Sequence, residues 1–372
     1  MRGHTDNILC STMIRRLLKA LAVLDILVAI VLNLYIRNYP LIKSGCSWNP
    51  EASVKLAAFG DPQIPGLPPF IKGWYVKHLD VLGNDKYLKS IASAIRKHLK
   101  PDYVAVMGDL LSSQWIDDYE FSDRYRRYSK IFPKDEPGEI FNVSGNHDIG
   151  YHGDFTQNRI ERFQVCYGEL NFVAYQSPEY RIVVINSMSL DGPPDDDEWR
   201  KETVDFLDSI KDYQGSSILL NHIPQFKPNG ICMDDAKFEF YDFEGHQALR
   251  SQNHMTSKST NLILTAVFGG SDKEGLILAG HDHEGCECSY DLNKHSQIWE
   301  LNPKNTGRVK EVTVRSMMGD YGGNTGLVSG LRSADGEIRW EYSLCRFHVQ
   351  HIWWVTQVTT YLTLAVPFLY IF

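Results

Sequence analysis

The side chains best able to do chemistry lie in five short motifs, each at or just after the end of an apolar, strand-like run. The motifs are residues 60–63 (GDPQ), 108–109 (GD), 145–148 (GNHD), 221–222 (NH) and 280–283 (GHDH). They supply Asp, Gln, Asn and His side chains, which are typical oxygen and nitrogen ligands of divalent metal ions. One such motif would be weak evidence, whereas five in this order predict one shared metal centre.

The residue types fit a centre that holds two metal ions. Two ions about 3.5–4 Å apart need a bridging carboxylate, further oxygen and nitrogen ligands, and an open side for water and substrate. Asp109 is the expected bridge, because a carboxylate offers two oxygens. The other expected ligands form two sets: Asp61, Gln63 and His283 for one ion, and Asn146, His222 and His281 for the other. Such a centre lowers the pKa of a water molecule, so that hydroxide attacks phosphorus near neutral pH.

His147 is the expected catalytic residue. It adjoins the expected ligand Asn146 in the sequence. It is therefore placed either to bind a phosphoryl oxygen or to protonate the leaving alkoxide. Glycines precede Asp109, Asn146 and His281, and we expect them to allow the tight turns that aim these side chains inward.

The motifs lie in a region where predicted strands and helices alternate. The expected strands are residues 54–59, 103–107, 139–143, 181–186, 217–220, 276–279, 309–314, 326–331 and 337–344, and the expected helices are residues 86–99 and 198–211. This order predicts a layered α/β domain with two packed sheets at its centre and helices outside. Ligands in such folds collect at the carboxyl ends of strands, which is where every motif lies.

Length, composition and charge limit which classes of molecule the chain is expected to bind. The chain has 372 residues, 43% of them hydrophobic, and a formal net charge of −8. This length allows one large domain or two modest ones. Without a basic footprint, nucleic acid is not an expected partner. An acidic protein that binds an anionic substrate needs local positive charge, which bound metal ions provide.

Two apolar segments flank the α/β region. Residues 17–36 are apolar apart from Lys19, Asp25 and Asn33, and residues 352–372 carry no charge. About 20 apolar residues are enough to cross a bilayer core as a helix. We therefore expect two transmembrane helices. The alternatives are a buried core helix for either segment and a cleaved signal peptide for the first.

The charges around the first segment predict its orientation. Basic residues, among them Arg15 and Arg16, are more numerous before the segment than after it. The positive-inside rule then places residues 1–16 in the cytosol and residues 37–351 in the lumen. Asp25 is costly at mid-span, so we expect it either to face a partner helix or to be tolerated by an otherwise strongly apolar segment.

Cysteine usage is compatible with an oxidising compartment. Six cysteines lie in the expected lumenal part, and they are Cys46, Cys166, Cys232, Cys286, Cys288 and Cys345. Six thiols can form three bridges in any of 15 pairings, and the sequence does not choose among them.

The five motifs resemble those of the calcineurin-like metallophosphoesterases, whose pattern is D-x-H, G-D, G-N-H-[DE], H and G-H-x-H. The resemblance covers roughly residues 54–285. It implies a metal-dependent phosphoric ester hydrolase with a four-layer αββα sandwich and a catalytic His147. The metal ligands that it implies are Asp61, Asp109, Asn146, His222, His281 and His283.

Gln63 departs from this family pattern, because it stands where the family has His. An amide oxygen is a neutral ligand and is harder than imidazole nitrogen. The expected cofactors are therefore two divalent ions with a preference for Mn²⁺, while Zn²⁺, Mg²⁺ and Fe remain alternatives.

The whole layout resembles a narrower group, the membrane-anchored ER enzymes of fungi and animals that remodel GPI anchors. The resemblance rests on Asp-Pro-Gln at residues 61–63, on the two flanking spans and on residues 318–323 (MGDYGG). It implies removal of an ethanolamine-phosphate side branch from a mannose of the GPI glycan, which helps GPI-anchored cargo leave the ER. It also implies a location in the ER membrane or early Golgi, and p24-type cargo receptors as partners.

Other interpretations stay open at this stage. Within the same class, the substrate is another lumenal phosphate ester. In a different class, the chain is an inactive cargo-receptor adaptor built on an enzyme fold. Taken alone, residues 319–323 are more typical of a turn between strands, with Asp320 as a turn cap, than of a substrate contact.

Overall fold

The computed structural model describes residues 2–43, 45–66, 74–192, 197–241, 248–334, 336–348 and 350–369. The α-helices are α1 (Arg2–Ile42), α2 (Trp74–Ala94), α3 (Asp118–Ile131), α4 (Asn146–Ile149), α5 (Gln157–Tyr167), α6 (Glu198–Ser209), α7 (Ser257–Phe268) and α8 (Gln350–Leu369). The strands are β1 (Ala52–Phe59), β2 (Tyr103–Val106), β3 (Glu139–Asn142), β4 (Phe172–Tyr175), β5 (Tyr180–Val184), β6 (Ser216–Leu220), β7 (Phe238–Phe240), β8 (Leu249–Gln252), β9 (Gly275–Ala279), β10 (Cys286–Asn293), β11 (Ile298–Leu301), β12 (Val309–Thr313), β13 (Asn324–Arg332) and β14 (Ile338–Arg346). The alternation of strands and helices confirms the predicted α/β class.

Two large sheets and one hairpin organise these strands. The first sheet has the order β14-β13-β1-β2-β3, and the second has the order β11-β10-β12-β9-β6-β5-β4. In the first sheet β1, β2 and β3 are parallel, and in the second β12, β9, β6 and β5 are parallel. Strands β7 and β8 form the separate hairpin. The carboxyl ends of parallel neighbours meet at one sheet edge, so each sheet brings several motifs together.

An apolar core joins the two sheets. One buried cluster combines Leu56 of β1 and Ala105 of β2 with Ile182 of β5 and Leu278 of β9. At its edge the indole N–H of Trp340 in β14 donates to the Ser216 hydroxyl at 2.7 Å, across from one sheet to the other. Side chains of alternate residues point away from this core and pack in a second cluster with the helices. The relative position of the sheets is thus fixed by burial on both faces.

The predicted elements match in type and differ in extent. The expected helix at residues 86–99 begins earlier, because α2 starts at Trp74, and a π-helical turn, Ile95–Leu99, completes it. The helix expected at residues 198–211 is α6, which the Asp197 carboxylate caps by accepting N–H bonds from Trp199 and Arg200. Helices α3, α4, α5 and α7 were not predicted, although α3, α5 and α7 each follow an N-cap side chain, which is Asp117, Thr156 or Thr256.

Four of the six cysteines between the two apolar segments form two disulfides. Cys46, before β1, is bonded to Cys345 at the end of β14, and Cys232 is bonded to Cys286 of β10. Cys166 and Cys288 are free thiols, so a third bridge among the six does not form.

The terminal helices pack against each other. Among the described residues, one segment, Met13–Pro40 of α1, is long and apolar enough to cross a membrane. Helix α8 covers most of the second predicted span, whose last residues, 370–372, lie outside the described ones. The Thr363 hydroxyl donates to the Asp25 carboxylate at 2.7 Å, and the Asn33 amide donates to the Thr360 hydroxyl at 2.8 Å. Asp25 and Asn33 of α1 therefore face a partner helix.

Candidate metal centre

The five motifs follow parallel strands of the two sheets. Asp61 lies just after β1, Asp109 after β2, His222 after β6 and His281 after β9, while Asn146 follows β3 and is the first residue of α4. Three motifs therefore come from the first sheet and two from the second. Because the sheets are packed face to face, their strand ends form opposite walls of one site.

The turns that carry these side chains hold the backbone in a rarely used conformation. Asp61, Gln63, Asp109 and His281 have φ angles of 43°, 41°, 46° and 73°. For L-residues this left-handed region costs roughly 1–2 kcal/mol per residue. Backbone outliers of this kind persist only where surrounding contacts determine them, and they concentrate at functional sites.

Hydrogen bonds between the motifs supply those contacts. The His281 N–H donates to both carboxylate oxygens of Asp61, at 3.0 and 3.2 Å. The His147 N–H donates to Asp109 Oδ1 at 2.8 Å, and the Gln63 N–H donates to the Asp109 carbonyl at 2.9 Å. Each turn is thus pinned by a neighbouring turn, and the two carboxylates serve as acceptors at the centre.

Glycines permit the close approach of these turns. A Cβ at Gly145 would lie 2.1 Å from the Asp109 backbone nitrogen, and one at Gly108 would lie 2.4 Å from His222 Nδ1. Gly108 also has a φ of 90°, as predicted for a tight turn, whereas the φ of Gly145 is an ordinary −112°. At Gly145 the requirement is therefore space beside Asp109 and not a special turn.

All seven predicted ligands lie together, and the Asp109 carboxylate is common to two groups. The ligand atoms of Asp109, His222 and His281 lie within 4.8 Å of one another, and so do those of Asp61, Asp109 and His283. Carboxylate oxygens and imidazole nitrogens at these separations fit divalent metal ions.

The two predicted amide ligands each border one of these groups. Asn146 Oδ1 is 3.1 Å from His222 Nε2. Gln63 Nε2 is 3.2 Å from Asp109 Oδ2 and 3.3 Å from His283 Nε2. An amide binds a metal through its oxygen, so a half-turn of the Gln63 amide would present the ligand atom.

Backbone carbonyls select which nitrogen of each histidine faces the centre. His222 Nδ1 lies 2.8 Å from the Met107 carbonyl, and His281 Nε2 lies 3.0 Å from the Gln252 carbonyl. A ring nitrogen facing a carbonyl must carry the proton and donate. The lone pairs that remain are those of His222 Nε2 and His281 Nδ1. Such outer hydrogen bonds orient metal-binding imidazoles and fix their tautomers.

The electrostatics of the centre favour a bound cation. Burial raises the pKa of Asp61 to about 8, and the charge of Asp109 adds to this rise although His222 opposes it. For Asp109, burial is the largest single effect and acts in the same direction, but the charge and hydrogen bond of His222, together with His147 and His281, lower the pKa overall. For His281, burial and the neighbouring His222 lower the pKa to about 3. Two buried carboxylates and a neutral imidazole form a site that a divalent cation would stabilise.

His147 occupies the open side of the centre. Its side chain is 38% exposed, and its Nε2 lies 3.8 Å from Asp109 Oδ2. Its backbone is held by the bond to Asp109, whereas its ring is only partly exposed, and Nδ1 is buried without a hydrogen-bond partner among the described residues. The ring is therefore available to a substrate that approaches from that side.

Asp148 is a functional residue whose role the sequence did not reveal. Its buried carboxylate accepts N–H bonds from Gly145 at 2.8 Å, Leu111 at 3.0 Å and Leu110 at 3.2 Å. It thereby ties the turn after β2 to the turn after β3 and holds Asp109 between them. The only signal in the sequence was its place at the end of the third motif, which indicates position and not function.

The segment at residues 318–323 lies beside the centre. It contains a 3-10 helix, Gly319–Tyr321, and the Tyr321 ring meets the His283 ring at a centroid distance of 4.7 Å and an angle of 71°. Just before it, the Ser316 hydroxyl donates to the Asp61 carbonyl at 3.2 Å. The segment connects β12 to β13 as a turn, and through Tyr321 it also forms part of the wall of the site.

Comparison with known proteins agrees with this geometry. A model of the calcineurin-like phosphoesterase family matches residues 54–285, which is more than half of the chain. The protein therefore belongs to the calcineurin-like phosphoesterase family, and it is a metal-dependent phosphoric ester hydrolase.

Several relatives support the assignment. The chain is 33% identical to Protein TED1 of Saccharomyces cerevisiae over 95% of this chain and 98% of that protein. It is 26% identical to the Metallophosphoesterase 1 homolog of Drosophila melanogaster over 70% of this chain and 73% of that protein. It is 24% identical to Metallophosphoesterase 1 of Mus musculus over 67% of each chain.

Replacement of Asp148 tests whether this carboxylate organises the centre. In Asp148→Asn one of the three backbone N–H groups faces an amide NH₂ instead of an oxygen, so the two turns separate. We expect affinity for Mn²⁺ to fall about 10- to 100-fold, as for other outer hydrogen bonds at metal sites. Calorimetric titration of metal-free protein measures this. Asp205→Asn, at an exposed position of α6, is the matched control, and equal affinities in the two variants would refute the role.

Proposed function

We propose that the chain is a dinuclear-metal phosphodiesterase that removes an ethanolamine-phosphate side branch from a mannose of the GPI anchor in the ER. The observation that carries the catalytic part is the pair of ligand groups that share Asp109. The substrate part is supported by the resemblance of residues 61–63 and 318–323 to the GPI-remodelling enzymes, and by the contact of Tyr321 with His283.

The proposed ligands divide between two divalent ions. Asp109 would belong to both ions, and the other ligands would be Asp61, Gln63 and His283 for one and Asn146, His222 and His281 for the other. Mn²⁺ is the proposed metal, because the Gln63 amide adds a hard oxygen ligand, with Zn²⁺, Mg²⁺ and Fe as alternatives. Divalent ions at such a site supply Lewis acidity toward the phosphoryl group and lower the pKa of water.

The chain's own residues would complete the hydrolysis. Water oxygen forms a bond to phosphorus, and the P–O bond to the mannose oxygen breaks. The exposed ring of His147 would donate a proton to that departing alkoxide, which leaves as a sugar hydroxyl. The imidazole then gains the proton that the attacking water loses, so His147 returns to its starting protonation state. The products are phosphoethanolamine and the trimmed glycan.

The membrane arrangement is part of the proposal. We infer a four-layer αββα sandwich at residues 37–351, with a cytosolic segment at residues 1–16 and transmembrane helices at residues 17–36 and 352–372. The apolar Met13–Pro40 segment of α1 and its hydrogen bonds to α8 support a packed pair of spans.

A lumenal location of the domain has independent support. Arg15 and Arg16 precede the first span, which favours a cytosolic N-terminus. The Cys46–Cys345 and Cys232–Cys286 disulfides are typical of an oxidising compartment. The p24-type cargo receptors are proposed as partners on the resemblance alone.

Glycan analysis tests the substrate. Cells that lack this chain should accumulate GPI glycans with one additional ethanolamine-phosphate on a mannose, and wild-type protein should remove it. Asp109→Asn, which loses an anionic oxygen of the proposed bridge, should fail to restore trimming at equal expression. Mass spectrometry of released GPI glycans measures both outcomes. Identical glycans with and without the chain would show that its substrate is another phosphate ester.

The leaving group tests the role of His147. We expect His147→Ala to lower turnover about 10²–10⁴-fold on an alkyl phosphodiester, because a general acid contributes that much. A nitrophenolate leaves without protonation, so the loss on an aryl ester should be far smaller. Steady-state kinetics with both esters, and metal content measured in parallel, give the answer. Equal losses would instead favour phosphoryl-oxygen binding, and loss of metal would identify His147 as a ligand or its support.

A further inference from the structure

Helix α2 exposes an apolar stripe on one face. Leu79 and Leu82, three residues apart on that face, are 63% and 42% exposed. On the opposite side, Val81 and Leu88 are buried against the domain. A single exposed leucine is common on protein surfaces. This pair is of interest because it lies beside the start of α8.

The stripe adjoins the start of α8. Gly83 packs directly on the Trp354 ring, since a Cβ there would lie 2.1 Å from Trp354 Cζ2. The Tyr87 ring lies 6.0 Å from that of Trp353, and the Lys86 ammonium donates to the Tyr361 hydroxyl at 3.2 Å. Helix α2 therefore runs beside the first turns of α8, at the level of two tryptophans. The proposed second span begins at residue 352, so this contact lies where that span leaves the domain, with Trp353 itself buried.

A buried arginine connects α2 to the metal centre. Arg127 of α3 donates through Nε and Nη2 to the two carboxylate oxygens of Asp85 in α2, at 2.6 and 2.8 Å. Its Nη1 donates to the Pro65 carbonyl at 2.6 Å, and Pro65 follows the proposed ligand Gln63 by two residues. The single guanidinium of Arg127 thus binds both α2 and the segment that follows Gln63. A bidentate pair of this kind fixes orientation as well as distance.

We propose that α2 is an interfacial helix that rests on the lipid surface, with Leu79 and Leu82 in the headgroup–acyl boundary. The proposal rests on the spans proposed above, because they set the level of the bilayer at α8. Helix α2 packs beside both α1 and α8, so apolar side chains that it exposes at the level where a span begins would lie at the boundary between headgroups and acyl chains. Through Arg127 it holds the entrance of the centre at a fixed height beside the membrane, where the lipid-anchored phosphodiester is presented.

Spin labels test the depth of α2 without any substrate. The full chain, with Cys10→Ser and Cys166→Ser, is labelled with a nitroxide at Leu79→Cys or Leu82→Cys and placed in palmitoyl-oleoyl-phosphatidylcholine vesicles. We expect both labels to collide more with dissolved oxygen than with a water-soluble nickel complex. The control is Ile298→Cys on β11, an exposed apolar position of the other sheet. If the α2 labels are as accessible to nickel as the control, the proposal is wrong.

Activity in the same vesicles tests what the contact does. Leu79→Glu with Leu82→Glu should lower kcat/KM about tenfold on a lipid-linked phosphodiester, because the domain loses its fixed position at the surface. The same pair should leave hydrolysis of a water-soluble aryl phosphodiester unchanged. Tyr119→Glu with Val165→Glu, at two positions that are more than four-fifths exposed, is the matched control.

The outcomes separate the two proposals. Equal loss on both substrates, or no loss on either, would contradict a docking role for α2. If wild-type protein hydrolyses the aryl ester but not the lipid-linked ester, the proposed substrate is wrong, while the spin-label depth still decides whether α2 lies on the membrane.

Discussion

The buried carboxylate of Asp109 is the contact on which the rest of the site depends. It accepts the His147 N–H, approaches His222 Nε2 to 3.3 Å and belongs to both groups of candidate ligand atoms. The backbone of Asp109 has a φ of 46°, which is one energetic cost of its position. Asp148 and the space left by Gly145 offset that cost by fixing the surrounding turns. The position of Asp109 thus explains both where the ligands lie and where the backbone is strained.

The two-sheet architecture makes this convergence possible. Parallel strands of one sheet end side by side, and packing of two such sheets brings their ends into opposition. Histidines from β6 and β9 of the second sheet therefore face carboxylates from β1 and β2 of the first. The apolar core between the sheets, together with the Trp340 bond to Ser216, sets the distance between these walls. Loss of that packing would change every ligand separation at once.

The sequence was sufficient for the class of fold and for a shared position of the motifs, because both follow from local patterns. Apolar runs that end in polar motifs marked β1, β2, β6 and β9 and the side chains just after them. Three features were not predictable from the sequence. They are the N–H bonds that Asp148 accepts, the histidine tautomers set by the Met107 and Gln252 carbonyls, and the pairing of the cysteines. Each depends on contacts between residues far apart in the chain, and a single sequence does not encode them as a period or a spacing. Helix α7 was missed although its N-cap, Thr256, and its apolar residues are local signals in the sequence.

Elemental analysis can show whether two metal ions share the Asp109 carboxylate. Full-length protein would be saturated with Mn²⁺, freed of excess metal and measured for ions per chain, alongside Asp109→Asn prepared in the same way. If the carboxylate is shared, our expectation is two ions in the wild-type chain and at most one in the variant, with the fold retained in both. Two ions retained in Asp109→Asn, or a single ion in the wild-type protein at saturation, would contradict it.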